Sequence, residues 1–372
     1  MTDAARRVPA SSPTPRATMP DPITTDHEAT RDLLRRLPKT ELHCHLDGSL
    51  RPTTMLELGR EYGVYMPHAE EELLRDHMRV DDARHLEDYL QRFDITLGVM
   101  QTREALERIA YELAEDASRE SVRYIEVRFA PVLNVRNGLT TIDAVDSALA
   151  GLARAERDFG IVGRVIICSL RHLPPAVSME LAELTVAYRD RGVVAFDLAG
   201  GELGNPAASH ADAFAYVRRH DMACTVHAGE GDGPRSIREA VHLCGAHRVG
   251  HGTRLIEDPR LLDYVTDRRI AIEICLTSNV QTRAVESYDA HPLRRYYDHG
   301  VNVSLSTDNR LMSGTTLTDE YEHAMRNLGF TLRELGDVAL NGFASAFLPW
   351  NERERMIAAA RDEIATLIGE PR

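Results

Sequence analysis

Two histidines, His43 and His45, are separated by a single residue in a stretch with the composition of a β-strand. Successive side chains of a strand point to opposite faces, so these two imidazoles point the same way. Asp47 and Gly48 follow at once, where the chain has to turn. Two imidazoles that converge at the end of a strand suit a metal ion at the edge of a sheet, although unrelated surface histidines would give the same spacing.

Further polar side chains follow other predicted strands, each at or just after the point where the strand ends. These are Asp197, His227, Glu230, His251, Asn279, Asp308 and Asn309. Because the carboxyl ends of parallel strands meet on one rim of a barrel, we expect these side chains to lie together. A cluster of His, Asp and Glu side chains is what a catalytic metal site requires.

Strand-like and helical segments alternate along most of the chain. Continuous apolar runs such as residues 164–170 are typical of buried parallel strands, and amphipathic segments such as residues 102–118 predict helices between them. Eight strands are predicted to begin near residues 41, 123, 164, 193, 223, 247, 270 and 301. This pattern favours an α/β fold, a (β/α)8 TIM barrel with extra helices after the first strand and at the carboxyl terminus.

The amino-terminal residues differ in composition from the rest. Residues 1–28 are rich in Pro, Thr, Ser, Ala and Asp without periodicity, which predicts a disordered tail, and residues 29–372 are predicted to form a single barrel domain. After the first strand, Tyr89 and Phe93 belong to an apolar stripe at helical spacing. This stripe either faces the core or lies over the site as a lid that contacts a ligand.

The bulk composition narrows the class of protein. The 372 residues are 43% hydrophobic and 27% charged, as in a soluble globular protein, and the formal net charge of -14 disfavours nucleic acid as a partner. Five scattered cysteines without a Cys-x-x-Cys pair argue against a disulfide framework or a cysteine-based zinc site. No apolar run approaches the length of a membrane span, so the predicted location is the cytoplasm and no membrane partner is expected.

Six short motifs occur in an order that resembles the adenosine deaminase family of the metal-dependent amidohydrolase superfamily. They are Glu41-Leu-His-x-His-Leu-Asp-Gly48, Asp197-Leu-Ala-Gly200, His227-Ala-Gly-Glu230, Gly250-His-Gly252, Thr277-Ser-Asn279 and Ser306-Thr-Asp308. The resemblance spans about residues 35–350. It implies a hydrolase that converts adenosine or 2′-deoxyadenosine to inosine or deoxyinosine and ammonia, in purine metabolism.

The resemblance also implies the cofactor. His43, His45, His227 and Asp308 would bind one Zn²⁺ per subunit. Three neutral imidazoles and one carboxylate suit zinc and leave a position for water, whose pKa the metal lowers toward neutrality.

Roles for the other motif residues follow from the same resemblance. Glu230 would donate a proton to N1 of the purine. His251 would orient the attacking water, assist its deprotonation and stabilise developing charge, with Asp308 sharing the role of base. The backbone N–H of Gly200 would face N3, and Asp47 would bind a ribose hydroxyl. From the residues alone, Glu230 is also compatible with a carboxylate at a helix start and Asp47 with a turn cap.

One position departs from the usual family pattern. Asn309 stands where a second Asp is commoner, and its amide can still donate a hydrogen bond to N7. Arg310 follows; it either forms an outward salt bridge or points inward and binds an anionic group on the substrate. His172, after the third predicted strand, either lines the pocket or caps a turn.

The sequence therefore leaves competing functions. The expected partner is a small purine nucleoside, but another 6-aminopurine such as adenine, AMP or a 5′-modified adenosine like aminodeoxyfutalosine would need the same chemistry. A catalytically inactive nucleoside-binding barrel is the alternative from another class, and it would not require every ligand and acid–base residue to be retained. The oligomeric state is not predicted.

Overall fold

The computed structural model describes residues 27–81 and 92–369. Eight strands form one sheet in chain order, and each strand pairs in parallel with the next. Each strand begins within two residues of its predicted start. From β1 to β8 they are Lys39–His45, Val122–Phe129, Val162–Leu170, Val193–Ala199, Ala223–Ala228, Arg248–His251, Ala271–Ile274 and Val303–Leu305.

The last strand returns to the first and closes the sheet. A parallel bridge joins Cys44 to Asp308. The backbone N–H of Asp308 donates to the carbonyl of His43 at 2.8 Å, and the N–H of His45 donates to the carbonyl of Asp308 at 2.7 Å. Because these bonds join the two edge strands, the predicted (β/α)8 TIM barrel is confirmed.

Helices surround the barrel, and local signals set their ends. Thr140 and Asp143 form a capping box before Thr141–Phe159, and Gly160, with a φ of 73°, ends that helix. The α-helices are His27–Arg36, Pro52–Tyr62, Glu71–Met78, Phe93–Val99, Arg103–Ser118, Thr141–Phe159, Pro175–Ala187, Ala211–Arg219, Pro234–Arg238, Pro259–Asp267, Leu276–Gln281, Leu293–His299, Arg310–Ser313, Leu317–Leu328, Leu332–Ser345 and Trp350–Ile368.

The predicted additional helices are present at both places. Pro52–Tyr62, Glu71–Met78 and Phe93–Val99 follow β1, and three helices from Leu317 to Ile368 follow β8. The predicted tail, residues 1–28, lies outside the described residues except for its last two, with which the first described helix begins. Tyr89 also lies outside the described residues.

The apolar core lies mainly between the strands and the helices. Val127 and Ile167 from the strands are fully buried in it together with Leu113 and Leu152 from two neighbouring helices. Removing this much apolar surface from water is the main favourable contribution to folding. Among the described helices, none combines the length and the apolar character needed to cross a membrane.

Candidate functional site

The strand-end residues meet around one cavity at the carboxyl rim of the barrel. Its volume is about 260 Å³. The predicted residues that line it are His45, Asp47, Phe93, His172, Gly200, His227, Glu230, His251, Asp308 and Asn309. His43 does not line the cavity, but its ring centre lies 4.5 Å from that of His227.

A larger hollow of about 590 Å³ lies at the opposite end of the barrel. Val193, Ala223 and Ala271, the first residues of β4, β5 and β7, line it. Barrel enzymes place their active sites at the carboxyl ends of the strands, and the histidine and carboxylate cluster lies there. We therefore locate the site in the smaller cavity.

Three imidazoles and one carboxylate are arranged as ligands of a small metal ion would be. His45 Nε2 lies 3.0 Å from His227 Nε2. Asp308 Oδ1 lies 3.4 Å from Nε2 of both His43 and His45. Zinc–ligand bonds of about 2.0–2.1 Å in a tetrahedron separate the ligand atoms by about 3.4 Å, so these residues fit a zinc ion.

The charge states of His45, His227 and Asp308 suit that ion. Burial lowers the pKa of His45 and His227, which favours the neutral imidazole that a metal requires. Burial alone raises the pKa of Asp308, but the surrounding histidines hold it well below its ordinary value. His43 Nε2 is also buried and, in the described part of the chain, makes no hydrogen bond. A cation would satisfy that nitrogen.

Carboxylates on the far side of the rings set which nitrogen faces the cluster. His43 Nδ1 lies 2.8 Å from Glu273 Oε2, and His227 Nδ1 lies 3.1 Å from Asp197 Oδ2. An Nδ1–H that donates to a carboxylate leaves the lone pair of Nε2 for a metal. Asp197 was expected at this rim because of its position in a predicted strand. Glu273 was not predicted as a site residue. The feature of the sequence that could have indicated Glu273 is its charge, because the rest of the strand Ala271–Ile274 is apolar.

A network of buried charges inside the barrel holds these two carboxylates in place. Arg128 contacts Asp197 at 3.1 Å and Glu273 at 3.0 Å, and Arg248 contacts Glu273 at 2.6 Å and pairs with Glu126. Burial alone raises the pKa of Glu273, but the two guanidinium groups and His43 hold it well below its ordinary value. Both carboxylates are therefore anionic acceptors for the histidine rings.

Two cavity residues have a backbone conformation that side chains seldom adopt. His251 has a φ of 64° and Asp308 a φ of 60°. Left-handed backbone at non-glycine residues is costly and concentrates at functional sites. In this protein the left-handed conformation occurs at His251, the last residue of β6, and at Asp308, in the segment that follows β8. Ser278 Oγ donates to Asp308 Oδ2 at 2.6 Å, which fixes the carboxylate that the turn presents.

Glu230 projects into the cavity from the turn that follows β5. Its Oε1 accepts a hydrogen bond from Thr282 Oγ1 at 2.9 Å, and its Oε2 lies 3.4 Å from His251 Nε2. Glu202 accepts the backbone N–H of Glu230 at 2.9 Å and those of Gly229 and Gly231 at 3.0 and 3.1 Å. The sequence left Glu202 without a definite role, because nothing local indicates that its partner is a turn 27–29 residues later.

The residues predicted to bind the substrate face the same space. Gly200 has a φ of 92°, which favours glycine at this turn. Burial raises the pKa of Asp47 to about 7. An added Cβ on Gly48 would lie 1.7 Å from Asn309 Oδ1, so Gly48 allows Asn309 to pack directly against the turn.

Arg310, for which one of two expected roles was to bind an anionic group on the substrate, does not line the cavity. Its guanidinium pairs with Glu120, and this buried ion pair ties the start of helix Arg310–Ser313 to the turn between helix Arg103–Ser118 and β2. A buried cation needs such a partner. Arg136 lines the mouth of the cavity instead, 3.9 Å from Asp94. Arg136 and Asp94 belong to none of the six motifs, and no local pattern marks them as site residues.

Comparisons with known proteins cover the whole barrel. A family model described as adenosine deaminase matches residues 38–364. A protein of Streptomyces coelicolor named adenosine deaminase 1 is 42% identical over 365 residues, which cover 93% of this chain and 92% of that protein. A probable adenosine deaminase of Dictyostelium discoideum is 41% identical over 327 residues, which cover 88% of this chain and 42% of that protein.

Two solved structures share the architecture at lower identity. An adenine deaminase from Arthrobacter aurescens has a TM-score of 0.82 and 25% identity, covering 89% of this chain and 99% of its own. An N6-methyl-AMP deaminase from Arabidopsis thaliana has a TM-score of 0.79 and 28% identity, covering 89% and 98%. The family-model match, residues 38–364, includes every strand that carries a cavity residue.

Proposed function

The chain belongs to the adenosine deaminase family, and from this premise we propose that it deaminates adenosine and 2′-deoxyadenosine by zinc-dependent hydrolysis. The products are inosine or deoxyinosine and ammonia. One observation carries the proposal: the carboxyl group of Glu230 and a cluster of histidines with the spacing of zinc ligands face the same cavity. This combination supplies a metal site and an acid for two neighbouring atoms of one planar substrate, C6 and N1.

We assign His43, His45, His227 and Asp308 as the ligands of one zinc ion per subunit. The distances of 3.0 to 3.4 Å among their ligand atoms support this set. When bound, zinc supplies the Lewis acidity that makes water a nucleophile at neutral pH.

Side chains around the reacting carbon act as the base and the acid. Asp308 accepts a proton from the attacking water, and the water oxygen bonds to C6. Glu230 gives a proton to N1, so the ring does not accumulate a full negative charge. His251 hydrogen-bonds the reacting oxygen. The C6–nitrogen bond then breaks, the proton taken from water leaves with ammonia, and the C6 hydroxyl returns its proton to Glu230 as it becomes the carbonyl of the product.

The remaining cavity residues orient the purine and the sugar. The N–H of Gly200 faces N3, the amide of Asn309 donates to N7, and Asp47 accepts a ribose hydroxyl. Phe93 and His172 line the walls of the cavity. Holding the ring in this way places C6 between the nucleophile and the proton donor, which is worth several orders of magnitude in rate.

A different 6-aminopurine is the competing substrate. The names of the two solved structures, adenine deaminase and N6-methyl-AMP deaminase, keep adenine and AMP in consideration. The pairing of Arg310 with Glu120 is an argument against an anionic substrate, because Arg310 was the residue from which such a substrate was inferred. The inactive barrel is disfavoured because all four ligand residues, Glu230 and His251 are present.

We further propose a small-molecule substrate rather than nucleic acid, and a cytoplasmic location. The net charge of -14 and five free, buried cysteines support this. We retain residues 29–372 as one deaminase domain.

The test is ammonia release by the zinc-loaded protein with adenosine, deoxyadenosine, adenine and AMP in parallel. We expect adenosine and deoxyadenosine to be the best substrates. Glu230→Gln should lower kcat by at least about 100-fold without loss of bound zinc. If another 6-aminopurine is turned over much faster than adenosine, the chemistry stands and the substrate assignment is wrong. If none releases ammonia, the proposed function is wrong.

A further inference from the structure

A chain of hydrogen bonds runs from the protein backbone to the back of His251. The backbone N–H of Leu293 donates to His291 Nδ1 at 3.1 Å. His291 Nε2 lies 3.2 Å from Asn279 Oδ1, and Asn279 Nδ2 lies 2.8 Å from His251 Nδ1. His291 is buried and does not line the cavity. Its contact with the site passes through Asn279.

The backbone N–H of Leu293 determines which group donates and which accepts in every hydrogen bond of this series. A backbone N–H can only donate, so His291 Nδ1 must accept, and in the neutral ring the proton is on Nε2. Burial lowers the pKa of His291 to about 3, which keeps the ring neutral. The protonated Nε2 donates to Asn279 Oδ1. The opposite amide orientation would place the amide NH₂ against this N–H, so it is excluded.

We infer that His291 is a positioning residue that acts through Asn279 to hold His251 in the tautomer whose proton is on Nε2. His251 therefore gives a hydrogen bond to the reacting oxygen instead of accepting its proton. The catalytic meaning of this inference rests on the proposed function, whereas the tautomer does not.

The same reasoning separates His251 from the histidines that it adjoins. One nitrogen each of His43, His227 and His251 and an oxygen of Asp308 lie within 4.8 Å of one another, so distance alone admits His251 as a metal ligand. A ligand nitrogen needs a free lone pair. His43 and His227 have carboxylates at Nδ1, which leave Nε2 unprotonated, whereas His251 has an amide donor there.

His251 and Asp308 therefore have different roles. With its Nε2 protonated, His251 stabilises negative charge on the attacking oxygen, as donors aimed at developing charge do in other enzymes. The proton released by water then passes to the carboxylate of Asp308, which cannot donate while it is ionised. His291 thus decides which of two neighbouring groups acts as the base.

The tautomer can be read without any substrate. In zinc-loaded, full-length protein labelled with ¹⁵N in its histidine rings, protonated and unprotonated ring nitrogens resonate in separate ranges. The signals of His251 are assigned by their loss in His251→Gln. We expect Nε2 protonated in the wild type. In Asn279→Asp the carboxylate still accepts from His291 but cannot donate to His251, so the proton should move to Nδ1.

Two substitutions at His291 test its own part. His291→Gln keeps one acceptor and one donor, and it should preserve the tautomer and hold kcat within about 3-fold of the wild type. His291→Met has similar bulk but no donor; it should give mixed tautomers and a kcat about 10- to 100-fold lower. These two variants decide the question even if Asn279→Asp does not fold.

A proton on Nδ1 of His251 in the wild type would overturn the inference, as would an unchanged tautomer and equal loss of kcat in both His291 variants. If no ammonia is released from adenosine but the tautomer switches as expected, the proposed function fails while the positioning role of His291 stands.

Discussion

The carboxylate of Glu202 accepts the backbone N–H of Glu230 at 2.9 Å. The same carboxylate also accepts the N–H groups of Gly229 and Gly231, and Gly229 has a φ of 77°. An ionised carboxylate with three N–H donors is a strong anchor for a turn. The turn in question carries the proposed proton donor, so Glu202 fixes where that donor stands relative to the cavity.

Glu202→Gln should therefore lower kcat more than it changes KM. The amide NH₂ of Gln would face a backbone N–H, and the turn would shift to relieve that contact. We expect kcat to fall about 10- to 100-fold, measured as ammonia release at saturating substrate. Glu239→Gln is the matched control, because Glu239 also accepts a backbone N–H, from Ala208 at 3.3 Å, but away from the cavity. Equal activity of the two variants would contradict this role.

Arg310→Ala should reduce stability without changing substrate choice. The substitution leaves Glu120 buried without its cation, which costs about 3–5 kcal/mol of unfolding free energy. Urea unfolding measures this loss. Because Arg310 does not line the cavity, the ratio of kcat/KM for AMP to that for adenosine should stay the same. A large fall in that ratio would restore Arg310 as a substrate-binding residue.

Asp94→Asn should favour a substrate with a 5′ phosphate. Arg136 and Asp94 lie 3.9 Å apart at the mouth of the cavity, and their charges offset one another. Removing the carboxylate leaves the guanidinium available to an anion. Exposed pairs are weak, so we expect the AMP-to-adenosine ratio of kcat/KM to rise about 2- to 5-fold, less at high salt. Arg136→Gln should abolish the gain; a gain that persists without Arg136 would contradict the explanation.

Glu320 should make the protein less stable as the pH rises from 4.5 to 7. Burial raises its pKa from 4.5 to about 7, against hydrogen bonds from Thr277 and from Thr315 Oγ1, the latter at 2.9 Å. Between these pH values the folded protein keeps a proton that the unfolded chain releases, so stability present below pH 4.5 is lost through pH 7.

Glu320→Gln removes this titration. The free energy of unfolding of the wild type, taken relative to the variant, should fall by on the order of 3 kcal/mol between pH 4.5 and pH 8. Urea unfolding of both zinc-loaded proteins at the two pH values measures the difference. A constant difference would mean that Glu320 titrates alike in both states.

The strand-and-helix pattern of the sequence determined the barrel and the rim on which the predicted site residues lie. Alternation along β1 places His43 and His45 on one side, and strand ends gather distant polar residues on one rim. These features are local: side-chain direction repeats every two residues in a strand, and parallel strands need helices between them. The sequence alone was therefore sufficient for them.

Only the tertiary structure decided the partners of those residues. Glu273 meets His43 from 230 positions away in the chain, and Arg310 meets Glu120 from 190 positions away. Whether a charged side chain points inward or outward depends on which counter-charge the closed barrel brings within reach, and no local pattern records that. The folded barrel pairs Arg310 with Glu120 outside the cavity and connects His291, which has no distinctive sequence context, to His251 through Asn279.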